Sequence, residues 1–294
     1  MLQSIGDPDL NIFEISGLAW AVAVDRALRA LAAEPEIDFA AYQQSSTALA
    51  LGSLEPADTR RLDAELREAG IVGPDGTMPE QWLLAVLIAV SAPIRVTVVA
   101  RTGEHSAHTH LGLAGGRGIA VSYRRRIRTT DAGTAVTGIQ DVVEVALFEE
   151  RHAWSAVRRI LPGFTELQAG PGSARGLDSD RGLDGARTPV SPQQLQAVGS
   201  AELQQDVKDA VLAPRCTVHL DVVAAPPGTA PAFRAADLWH LSEKLYSVRT
   251  SGDDGGRSLV MVDVPPGDVA RELFWRLLGA REFLAGSAGQ AAQR

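Results

Sequence analysis

The sequence predicts an α+β fold. It expects a central, mostly antiparallel sheet with two helical bundles, arranged as pseudo-two-fold duplicated halves. The run from Ile94 to Pro162 reads as short strands followed by a helix. The run from Thr217 to Leu278 reads the same way, in the same order. Asp141–Phe148, leading into a helix through Trp154 and Val157, matches Ser258–Val264, leading into a helix through Phe274. The repeat is one of pattern more than identity, and no catalytic motif interrupts either copy.

The elements follow in chain order. Residues 1–11 read as frayed, and Asn11–Ile15 as a short strand. Ser16 can cap a helix carrying Leu18, Val22, Leu28 and Leu31, ended by Pro35. Helical content is weak around Phe39–Leu51. Leu62, Leu66 and Ala69 then mark one helical face, with Gly70 placed to end it. Pro74-Asp75-Gly76 is a turn signal. A second helix is expected from Pro79 to Ala92, with Trp82, Leu83, Val86, Leu87 and Val90 facing inward. Ile94–Ala100, His108–Leu113, Ile119–Arg126 and Val142–Phe148 read as strands, the middle pair joined at Gly115-Gly116. Glu149–Leu161 reads as the next helix, stopped by Pro162-Gly163.

The composition changes over residues 168–191. Arg175-Gly-Leu-Asp and Arg181-Gly-Leu-Asp form a small tandem repeat with no hydrophobic period, so a flexible linker is expected. Residues 1–167 then make an N-terminal half and 192–286 a C-terminal half. The second half should open with a helix from Pro192 to Leu212. Strands are expected at 217–225, 232–242, 244–251 and 258–264, then a helix over 267–285. Residues 287–294 are expected to be a disordered tail.

The chain has 294 residues, 45% hydrophobic and 22% charged, enough for a sizeable core. A net charge of -8 works against non-specific nucleic-acid binding. A single cysteine, Cys216, excludes an intramolecular disulfide and a cysteine-based metal site. Asp7, Asp9 and Glu14 stand where a secretory signal would need basic residues. A cytoplasmic protein without membrane contact is expected.

Three groupings invite a chemical reading. His105, His108 and His110 are metal candidates, since His108 and His110 share one side of a strand. Solvent-facing histidines are the competing reading. Arg124-Arg125-Arg126 with Arg128 could meet nucleic acid, but no aromatic residues interleave them. The helix pair before Ile94 suits a winged-helix regulator with a ligand domain, except that its second helix is apolar where base-reading side chains belong. A histidine-cluster metal enzyme is the third class. No phosphate loop, nucleophile elbow or His-Glu-x-x-His motif is present. No enzymatic activity and no cofactor are expected.

Several segments resemble the EspG family. Phe13-Glu-Ile-Ser-Gly-Leu-Ala-Trp20 is similar to its opening strand and helix. Glu65-Leu-Arg-Glu-Ala-Gly-Ile-Val-Gly-Pro-Asp-Gly-Thr-Met-Pro-Glu-Gln-Trp-Leu-Leu84, running on to Ser91-Ala-Pro-Ile-Arg-Val96, resembles its helix, Gly-Ile-Val turn, second helix and first long strand. Leu161-Pro162, Gly256-Arg257 and Pro265-Pro266 look similar to later landmarks. The longer 168–191 stretch and the His105–His110 segment depart from the pattern. The resemblance implies a cytoplasmic, non-enzymatic adaptor of type VII (ESX) secretion in actinobacteria. Such an adaptor binds a PE–PPE-like helical pair and keeps it soluble for export. Shielding an apolar tip needs an exposed apolar patch with a polar rim. The turns Thr102–Ala107 (Thr102 and Glu104) and Pro226–Pro231 are candidates. So is the C-terminal helix pair, through Leu195, Val198, Phe274 and Leu278. A homodimer is compatible with this reading.

Overall fold

The computed structural model describes residues 8–34, 37–130, 133–173, 187–190, 205–226, 229, 232–253 and 256–291. Alternating buried and exposed side chains mark its strands. They are β1 (Leu10–Ile15), β2 (Ile94–Thr102), β3 (His105–Ala114), β4 (Arg117–Thr130), β5 (Gly133–Glu149), β6 (Arg187–Val190), β7 (Cys216–Ala224), β8 (Phe233–Leu241), β9 (Leu245–Asp253) and β10 (Gly256–Val264). The helices are α1 (Gly17–Ala30), α2 (Phe39–Gln43), α3 (Ser46–Gly52), α4 (Pro56–Glu68), α5 (Glu80–Ser91), α6 (Ala153–Arg158), α7 (Thr165–Gln168), α8 (Gln205–Leu212) and α9 (Asp268–Ala291).

All the strands join one sheet in the order β1-β5-β4-β3-β2-β7-β8-β9-β10-β6, with every pairing antiparallel. The connection order is the same counted outward from either side of the β2–β7 pair. That pair runs from Ile94 opposite Ala224 to Arg101 opposite Thr217. The β2–β3, β3–β4, β7–β8 and β8–β9 neighbours are sequential hairpins, which keeps most pairing local.

Period two assigns the faces. On the first face Val96, Val98, Leu111, Val218, Leu220 and Val222 are buried with residues of α6 and α9 in one core that spans both halves. On the second face Ile119, Val143 and Val145 pack with α1, α4 and α5. A smaller cluster there joins Val207 and Ala210 of α8 to Tyr246 and Met261. Fully burying each aliphatic side chain stabilises by about 2 kcal/mol before entropy is counted.

The N-terminal bundle is set by specific local chemistry. Ser16 Oγ accepts from the Ala19 amide at 3.1 Å, capping α1. Ser16 in turn donates through its amide and hydroxyl to the Glu65 carboxylate at 2.5 and 3.0 Å, which ties α4 to the start of α1. Gly70 takes φ +70°, ends α4 and turns Ile71 and Val72 into the core. The Trp82 indole is fully buried and donates to the Gly70 carbonyl at 3.2 Å. The Phe13 ring meets Trp82 edge-on at 4.8 Å.

Several boundaries differ from those the sequence predicts. β4 and β5 run longer, because the Arg- and Thr-rich stretch pairs with itself out to Thr130 opposite Gly133. A backbone ladder needs no hydrophobic period. β6 falls inside the expected linker for the same reason, pairing with the edge of β10. Its Pro189 suits an edge strand. The helix expected over Glu149–Leu161 is a 3-10 turn, Glu150–His152, followed by the short α6. Of the residues expected to face inward on α5, Val90 is exposed and Ala85 and Ile88 are buried instead. α9 continues past 285 to Ala291. Leu195 and Val198, with most of the helix expected from Pro192, lie outside the described residues. Among the described residues no helix is long and apolar enough to cross a membrane.

Helix α5 lies so close to β3 that a Cβ at Gly112 would sit 2.5 Å from the Ile88 carbonyl oxygen. Gly112→Ala should therefore push α5 off the sheet and destabilise the protein by about 1–3 kcal/mol. An unchanged urea midpoint would disprove this contact.

Candidate partner-binding surface

Helix α9 presents the most unusual exposed side chains. Its start is fixed by backbone proximity: Gly267 has φ +88°, and a Cβ there would lie 2.5 Å from the Gly170 carbonyl oxygen. Asp268 follows, fully buried. It accepts from the Trp239 indole Nε1 at 2.8 Å and pairs with Arg271. Val269, Leu273, Leu277 and Ala280 then repeat at helical spacing against the sheet.

The outward side of α9 carries two large apolar side chains among its charged ones. Trp275 is 60% exposed and Leu278, three residues on, 44% exposed. An isolated exposed Leu is ordinary, but a large aromatic held in water on a docked helix is not. Charged pairs frame the two residues. Arg276 makes a bidentate bond to Asp237 at 2.7 and 2.8 Å and approaches Glu272 at 3.4 Å. Arg281 reaches Glu150 at 2.7 Å. The Asp237 carboxylate, first by its hydrogen bond, holds the Arg276 guanidinium above its ordinary pKa. An apolar centre ringed by satisfied charges is the composition of a protein interface.

The predicted partner residues divide. Leu278 is exposed, but Phe274 is half-buried against the core, because it continues the inner stripe of α9. Trp275 was not singled out in the sequence. Its signal was its phase, since it falls on the wet side of the period set by Leu273 and Leu277. Thr102 is half-buried and Glu104 exposed, at the tip of the β2–β3 turn, where Gly103 takes φ +55°. The Glu104 carbonyl accepts from the Ile127 amide at 2.8 Å. The turn lies at the same end of the sheet as the start of α9, since Arg101 pairs with Thr217 and Trp239 with Val218. Pro227, Gly228, Ala230 and Pro231 lie outside the described residues.

The histidines do not converge. His108 and His110 share the second face, as their spacing predicts, with the Tyr123 ring stacked on both at 5.1 and 5.8 Å. His105 stands an odd number of residues away, so period two sends it to the first face. His108 Nε2 bonds with Ser106 Oγ at 3.0 Å. His110 is bonded to Thr97 Oγ1 and Tyr123 OH at 3.2 Å each. Among the described residues no group of three or more His, Cys, Asp or Glu could hold a metal. The basic run divides in the same way. Arg125 lies over Tyr123 at 4.8 Å on the second face, while Arg124 and Arg126 turn to the first. The would-be recognition helix α5 is core, through Trp82, Ala85, Val86 and Ile88.

No family model matches the chain, and no curated protein sequence matches it. The chain is similar to a solved chaperone. That protein is EspG5 of the Mycobacterium tuberculosis type VII secretion system, solved in complex with a PE25–PPE41 dimer. The two are 12% identical, the match covers 92% of this chain and 96% of that one, and the TM-score is 0.49.

Two outcomes test this description. Asp268→Ala leaves the Trp239 N–H buried without its acceptor and should cost about 3 kcal/mol, read as a lowered melting temperature. An unaltered melting curve would contradict it. His108 and His110 are held below their ordinary pKa, mainly by burial and then by the Arg125 charge. The unfolded chain therefore binds more protons between its own histidine pKa, about 6.5, and the lower folded values, so stability is full above about 6.5 and is lost as pH falls below it through the folded values. His108→Gln with His110→Gln should flatten the decline in stability between about pH 7.5 and about pH 5.5. His240, also lowered by burial, should preserve part of the slope.

Proposed function

We propose that the chain is an EspG-like, non-enzymatic adaptor that binds a secreted helical protein pair and keeps its apolar tip from aggregating. The observation that carries this reading is the exposed Trp275–Leu278 pair, mounted on a helix anchored by Asp268 and framed by ion pairs. A rigid aromatic at the centre of a polar rim has the character of a binding hot spot. The segment resemblance at Phe13–Trp20 and Glu65–Val96 supports the same reading. Residues of those segments build the bundle: Ser16 caps α1, Glu65 receives it, and Gly70 places Ile71 and Val72.

The partner we propose is a PE–PPE-like helical pair, bound in the cytoplasm of an actinobacterium before export. Its tip would lie on the outer side of α9, over Trp275 and Leu278, with the Thr102–Glu104 turn, at the end of the sheet where α9 starts, as a second contact. The chemistry required is burial of apolar surface without bond making.

Co-purification from the native cytosol, with mass spectrometry of what elutes, should recover a small helical export substrate near one-to-one. Trp275→Glu with Leu278→Glu should weaken that complex by about a hundredfold. Both residues are exposed, so the fold should be untouched, and circular dichroism checks this. Full retention of the substrate by the double variant would rule out α9 as the contact.

A further inference from the structure

A cavity of about 610 Å³ opens on the first face of the sheet, with Thr102, His105, Arg124 and Arg126 among its lining. Its origin is a run of small residues. Ala100 pairs with Ala107, and Ala107 with Arg124. One step outward Thr102 pairs with His105, His105 with Arg126, and Arg126 with Gly138. Partners in antiparallel register share a face, so these rows lie side by side on the floor. The Ala and Gly positions leave space that Ile160, Leu161 and Pro162, just beyond α6, close from the other side. The volume is in the range of small-molecule sites.

The lining is apolar inside and basic at its mouth. Ala100, Ala107, Ile160 and Leu161 are buried. Ile139, at the rim, is 67% exposed. Arg124 and Arg126 stand two apart on one strand, on the same face, and both are exposed. Among the described residues neither guanidinium has an ion-pair or hydrogen-bond partner, and no Asp or Glu lines the cavity. Arg159 and Arg276, by contrast, are held by Glu144 and Asp237. Two forked donors at the mouth of an apolar pocket suit an oxyanion, which each can hold bidentately.

From this geometry we infer that the cavity binds a small amphipathic anion, with a carboxylate or phosphate head group between Arg124 and Arg126 and an apolar body over Ala100, Ala107 and Leu161. The site is apart from Trp275 and Leu278 and shares Thr102 with the proposed partner surface.

Titration calorimetry of the whole chain with decanoate, decyl phosphate, decanol and inorganic phosphate tests it. Decanoate or decyl phosphate should bind saturably at one site, and the tighter of the two identifies the head group. Arg124→Ser with Arg126→Ser should weaken the anion by about tenfold or more and leave decanol unchanged. Gly138→Val should weaken decanol as well, by filling the floor. A Cβ there meets only the Arg126 Cβ at 3.8 Å, so the strand can accept it. Circular dichroism confirms that both variants are folded. Absence of saturable binding by either amphiphile overturns the inference, as does binding that neither variant alters. Inorganic phosphate binding as tightly as decyl phosphate would overturn the apolar part.

Discussion

The pairing of β2 with β7 is the constraint on which the rest of the structure depends. It joins two five-strand halves into one sheet and one first-face core. Val96 and Val98 from one half lie beside Val218, Leu220 and Val222 from the other, all buried to 1% or less. A sheet ending at β2 would present a long apolar edge strand, an aggregation hazard. Closing that edge with β7 leaves β1 and β6 outermost, the two shortest strands.

The helices follow from the same pairing. α9 packs across β7, β8 and β2, so its dry stripe is buried only when the two halves are together. Asp268 secures its beginning, and the outward side of α9 is then committed to solvent or to a partner. Trp275 owes its exposure to this geometry, since neighbouring Leu273 and Leu277 already fill the space over the sheet. The N-terminal bundle is fixed separately, by Ser16 with Glu65 and by Trp82 with Gly70.

Strand parity decides what the polar groupings can do. Adjacent arginines are distributed to opposite faces, giving a cation over Tyr123 on one side and a basic cavity mouth on the other. His105 is separated from His108 and His110 by the same alternation. Groupings that look like sites in a linear reading therefore dissolve, and the cavity arises from residues no motif connects. Ala100, Ala107 and Gly138 matter there for the volume they leave empty.

The sequence by itself determined the order of β1–β5 and of β7–β10 with the helix that follows, the Gly70 and Pro74–Gly76 stops, and the apolar character of α5. These are local: periodicity, capping and turn chemistry act over a few residues. Leu278 was indicated only through the family resemblance, as one residue of the C-terminal helix pair. Only the tertiary structure decided that Trp275 stands in water beside a half-buried Phe274, since α9's rotation on the sheet fixes how far each side chain is covered. Only the sheet decided the lengths of β4, β5 and β6, because ladder hydrogen bonds accept polar sequences that carry no hydrophobic signal. The cavity was equally illegible, for a void is a property of strand register between residues far apart in the chain.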